Sequence, residues 1–92
     1  MDVYAEIAVK IITQQESIIG PVAIEQAEQV SGLDVDWDKK SVSIKGDEAG
    51  AIDKLVKKYK ELFGQISVEV CKEAAGSLVG KLPPGGLPES LK

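Results

Sequence analysis

The 92-residue sequence predicts a mostly helical α+β domain in the order helix–helix–β-hairpin–helix–helix, and three observations carry that reading. Aliphatic residues recur at helical spacing on both sides of the chain's middle. Between them, residues 33–45 alternate apolar with polar, the period of a strand pair. Glycines at 20, 32 and 64 fall where each pattern breaks.

The first helix is expected over residues 2–19. Val3, Ile7, Ile11 and Ile18 form its apolar stripe, Ala8, Ile12 and Ile19 widen it, and Asp2 stands at the N-cap position. Gly20-Pro21 ends it, because proline disfavours helical geometry in the residue before it and suits the first turn of a new helix. A second, shorter helix over 21–31 follows, with Val22, Ile24, Ala27 and Val30 apolar and Gly32 as its stop. In the hairpin the simplest register pairs Trp37 with Val42 and Val35 with Ile44 around a turn at residues 38–41. It also sets Lys45 opposite Asp34. The clearest helix spans 47–63, where Ile52, Leu55, Val56, Tyr59, Leu62 and Phe63 share one face and Gly64 closes the pattern. Asp47 and Glu48 lie at its N-terminal end and Lys57, Lys58 and Lys60 towards its C-terminal end, as the helix dipole prefers.

Residues 65–82 fit two patterns. Ile66, Val68 and Val70 alternate like a strand, while Val68, Cys71, Ala75, Leu78 and Leu82 follow the helical period. An internal correspondence favours helix over 65–79. Residues 4–32 shifted by 44 fall on 48–76 without a gap, matching Gly20 with Gly64, Gly32 with Gly76, Lys10 with Lys54 and Glu25 with Glu69. Apolar positions coincide as well: Ile11 with Leu55, Ile12 with Val56, Val22 with Ile66, Ala27 with Cys71. This raises an internal duplication of the helix pair. The reading is thus one globular domain over residues 1–82 and a Pro/Gly-rich extended tail over 83–92.

Composition narrows function mainly by exclusion. There is no His, and a lone Cys71 leaves no zinc set, no His-dependent nucleophile and no internal disulfide, which points to a reducing, cytoplasmic setting. No run approaches the ~18 apolar residues of a membrane span. Asp34, Asp36 and Asp38 resemble the start of a calcium loop, but Lys39 and Lys45 stand where that loop needs Gly and a bidentate Glu. Glycines 46, 50 and 64 make no phosphate-binding fingerprint, and no cofactor is expected.

What remains is surface. Lys54, Lys57, Lys58 and Lys60 crowd one helix, and Trp37 is the only tryptophan, so these five residues form the candidate interaction surface. Nucleic acid is disfavoured as a partner: net charge is −4, all eleven basic residues are lysine, and Tyr59 and Phe63 fall on a core stripe by periodicity. The function expected is a non-catalytic protein–protein interaction or assembly module, self-associating as a homodimer. The alternatives are a nucleic-acid-associated regulator using the lysine face, and a small-ligand sensor with a pocket between helices.

Overall fold

A computed structural model describes residues 2–92. The order is α1 (Val3–Ile19), α2 (Val22–Glu28), β1 (Leu33–Asp36), β2 (Ser41–Ile44), α3 (Glu48–Phe63) and α4 (Gln65–Ala75), with short 3₁₀ turns at Trp37–Lys39, Val79–Lys81 and Glu89–Leu91. This is the mostly helical α+β fold that the patterning predicts. The doubtful segment after Gly64 is helix, because Val68, Cys71 and Ala75 face the core together at helical spacing, but it stops at Ala75 before Gly76, short of the expected residue 79.

The two long helices begin and end alike. Asp2 accepts the Ala5 N–H at 2.9 Å and Asp47 accepts the Gly50 N–H at 3.0 Å, so each first turn is capped by an aspartate. At the far ends, Gly20 (φ 76°) and Gly64 (φ 81°) return their N–H groups to Glu16 and Lys60, each at 2.8 Å. Their carbonyls then accept from Ala23 and Ser67 at 3.0 and 3.1 Å, starting the next helix. A Cβ at either glycine would meet nothing within 4 Å, so glycine is required there by the backbone angle and not by space.

Packing repeats the correspondence. Ile7, Ala8, Ile11, Ile12 and Gln15 are buried in α1, and their partners 44 residues on, Ala51, Ile52, Leu55, Val56 and Tyr59, are buried in α3. Ala23 and Ala27 of α2 match Ser67 and Cys71 of α4, also buried. Gln15 and Tyr59, a matched polar pair in this set, make reciprocal bonds between the halves. Gln15 Nε2 donates to the Ser67 carbonyl at 3.2 Å, and Tyr59 Oη donates to the Ala23 carbonyl at 2.6 Å. Positions 15 and 67 map onto 59 and 23 under the same shift of 44. Matched positions of the helical hairpins α1–α2 and α3–α4 thus bond reciprocally through the core.

Three expectations need correction. First, α2 ends at Glu28 and not at residue 31. Tight turns (Val30 N–H to Ala27 O, Leu33 N–H to Val30 O) swing Val30 and Leu33 into the core and launch β1. Second, the antiparallel register pairs Leu33 with Ile44 and Val35 with Val42, two residues from the expected one. Asp34 faces Ser43, and Lys45 N–H bonds Gly32 O. The turn takes Trp37–Lys40, closed by Lys40 in the left-handed region at φ 50°, which leaves Leu33 free to pair. A slip of two keeps every side chain on its face, so the apolar face is the expected one.

Third, residues 83–92 are not extended away from the domain. Tyr4 Oη donates to the Gly86 carbonyl at 2.7 Å, and Asp53 accepts from Ser90 N–H at 2.9 Å and Ser90 Oγ at 2.6 Å. Pro88 and Leu91 are buried. Proline and glycine rule out a long regular element here, but a few anchors suffice to dock an irregular one.

Candidate interaction surface

The structure divides the five expected surface residues among three places. Lys54, Lys57 and Lys58 line a shallow cleft of about 260 Å³ beside Gln29 and Glu61, where Lys58 Nζ lies 3.4 Å from Gln29 Oε1. Lys60 turns to a different groove, between α3, α4 and the C-terminal turn, which it shares with Lys57. Helical geometry separates them, since residues 54, 57 and 58 share a face and residue 60 falls about 120° from 54 around the axis.

Trp37 lines neither groove. It is half-buried at the edge of the core, and its Nε1 donates to Glu16 Oε1 at 3.3 Å. Lys40 Nζ sits 4.2 Å from the ring centroid and 3.8 Å from the same Glu16 oxygen. Indole, ammonium and carboxylate thus form a local cluster that fastens the hairpin turn to α1.

A feature that periodicity does not isolate stands out instead. The exposed large apolar side chains among the described residues are Ile18 (60%), Val22 (39%), Leu62 (50%), Phe63 (39%) and Ile66 (73%). All five flank the two glycine corners, and under the shift of 44 Ile18 matches Leu62 and Val22 matches Ile66. They lie at one end of the molecule, because the reciprocal bonds Gln15–Ser67 and Tyr59–Ala23 hold both corners together there. From their fractional exposure, the five together leave on the order of 500 Å² in water across the two corners. Residues 17–24 and 62–68 contain no charge at all, in a chain that is 28% charged.

Ile18, Leu62 and Phe63 read from sequence as members of the core stripes. Their angle around the helix is right for that, but they lie beyond the last core layer, formed by Gln15 and Tyr59. The legible signal was the adjacent apolar pairs Ile18-Ile19 and Leu62-Phe63 placed just before a glycine.

The interior offers little reactivity. Burial pushes the Cys71 thiol up to about 11, against a smaller opposing effect of its hydrogen bond from Gln15 at 3.5 Å, so the thiolate is scarce at neutral pH. Burial likewise raises the Tyr59 phenol, with Cys71 nearby adding to the effect. Among the described residues no three His, Cys, Asp or Glu side chains cluster to hold a metal ion. No helix there is long and apolar enough to cross a membrane.

The second groove is larger, about 620 Å³, within the size range of ligand pockets. Val56 and Val68, both core members, lie at its base, and Lys57, Lys60, Lys72 and Lys92 reach it from α3, α4 and the C-terminal turn. No family model matches this chain, and no curated protein or solved structure is significantly similar to it.

Proposed function

We propose that this chain is a non-catalytic assembly module that pairs with a second copy of itself through the apolar end formed by the two glycine corners. The observation that carries this reading is the confinement of all five exposed large apolar residues to that one end. Their exposed area is more than half of the ~800 Å² that each partner buries in a standard interface. The charge pattern favours a second copy as the occupant. Two copies of an acidic surface repel, whereas the uncharged corners can meet without like-charge cost. Matched residues, Ile18 with Leu62 and Val22 with Ile66, stand exposed at the two corners, and an apolar surface repeated in this way suits a self-complementary contact.

Ile66 is 73% exposed, so changing it spares the core. Sedimentation equilibrium of the wild type is expected to give a dimer with a dissociation constant in the micromolar range, a typical strength for a modest interface. Ile66→Lys is expected to give a folded monomer, with unchanged far-ultraviolet circular dichroism. A wild type that stays monomeric at several hundred micromolar overturns the proposal. So does a dimer that survives both Ile66→Lys and Leu62→Lys.

A further inference from the structure

The groove between α3, α4 and the C-terminal turn has a counterpart in the first half of the chain, and the counterpart is occupied. Residue 60 on α3 matches residue 16 on α1 under the shift of 44. On α1 that residue is Glu16, and the Trp37 ring lies against it with Nε1 donating at 3.3 Å. On α3 it is Lys60, exposed, and the chain brings no ring to it. The C-terminal turn fills only one end of the groove, where Ser90 is tied to Asp53 and Leu91 is buried.

The charge at the two matched positions is opposite. Glu16 accepts a hydrogen bond from the N–H edge of an indole. Lys60 is a donor and a cation, so the complementary group is an anion. The other charges around the groove agree. Of its carboxylates, Asp53 is taken up by Ser90, and Glu89 is paired with Lys92 at 2.9 Å. Lys57 and Lys60 have no ion pair among the described residues, although Glu61 also lies on the rim. Lys72 is held by Glu69 at 3.5 Å, an exposed pair that screens it weakly. Val56 and Val68 line its floor but are nearly covered, at 1% and 7% exposed, so most of the apolar wall open to a ligand is the aliphatic stems of the lysines around it. An apolar wall with convergent cations suits a flat apolar body carrying one acidic group.

We propose that this groove binds a small aromatic carboxylate, its ring laid against the edge of Val68 and the lysine stems and its carboxylate facing Lys60 and Lys57. The site is independent of the apolar end proposed for self-association, and its test reads a different set of residues.

The probe is 2-naphthoate, titrated into the ¹⁵N-labelled full chain, with 2-naphthamide as the neutral analogue of the same shape. Amide shifts of Val56, Lys60, Val68 and Lys72 are expected to move and saturate, with a dissociation constant of about 1 mM or tighter, the strength a ligand of this size reaches. The amide analogue is expected to bind about tenfold more weakly or worse, since it lacks the charge. Lys60→Glu, which restores the residue type of position 16, is expected to weaken naphthoate by about tenfold with an unchanged melting temperature. Lys45→Glu, remote from the groove, keeps wild-type affinity and controls for net charge. Three results overturn the proposal: equal binding of acid and amide, full affinity in Lys60→Glu, or shifts that move only at Ile18, Leu62 and Ile66. Failure to saturate overturns it as well.

Discussion

In α1–α2, residue 15 is a glutamine that reaches across to Ser67 of the other hairpin. In α3–α4, residue 59 is a tyrosine that reaches back to Ala23. The same two positions hold a donor in both halves, yet an amide and a phenol supply it. The geometry of the crossing therefore demands a buried donor of sufficient length, not one residue type. The coverings differ more than the interior. The first hairpin receives a β-ribbon with Trp37, whereas the second receives only a short irregular turn anchored by Ser90 and Leu91. The difference between the halves is thus one of outer layer.

If the inner layers are equivalent, matched truncations should cost alike. Ile11→Ala and Leu55→Ala both empty a fully buried aliphatic site, and each is expected to lower stability by about 3 kcal/mol. Urea unfolding of the two variants checks this. A cost at one site more than double that at the other would break the equivalence.

The crossing bonds should separate the halves more finely. Tyr59→Phe removes a 2.6 Å bond and keeps the ring, for an expected loss of about 1–2 kcal/mol. Gln15→Leu gives up a longer bond of 3.2 Å and relieves the burial of an amide, so its cost is expected at about 1 kcal/mol or less. The same unfolding curves rank the two, and a larger loss for Gln15→Leu would reverse the assignment of the stronger crossing.

The smallest effect lies where the two caps meet. Asp2 caps α1 and lies beside Glu48 in the first turn of α3; the Glu48 pKa is raised first by a hydrogen bond with Asp2, then by its own burial, then by repulsion from the Asp2 carboxylate. A carboxyl with a raised folded pKa holds protons more tightly in the native state. Its contribution to stability is present below the unfolded value of 4.5 and is lost as pH rises through the folded one. Glu48→Gln is accordingly expected to raise the melting temperature slightly at pH 7 and to leave it unchanged at pH 3. A gain of equal size at both values would mean that charge is not its source.

The residues explain which parts of this fold were legible. Asp2, Gly20 and Gly64 act locally, so caps and corners could be read directly from the chain. Alternation gave the correct face of Val35 and Val42 but not their pairing, because a shift of two conserves faces and the turn alone decides. The docking of Leu91 carried no periodic signal, being a single anchor in an irregular segment. The apolar end was hidden for a related reason. Periodicity reports the angle of Ile18 or Leu62 about its own helix, but not whether a neighbour extends far enough along the axis to cover it. The lysines were found as a cluster in sequence and separated in space by the same angular geometry.

The Trp37 cluster also equips the molecule with two optical reporters in different layers. Trp37 is the only indole, held between Glu16 and Lys40 at the hairpin turn, while Tyr59 lies fully buried at the crossing of the helices. Emission excited at the red edge reports whether the ribbon is seated on α1. Near-ultraviolet dichroism of the tyrosines reports whether the helices are packed. A chain that melts as one unit must give superimposable curves from both signals. A tryptophan transition that precedes the tyrosine one would mean that the ribbon peels away from an intact helical core, an opening of the outer layer alone.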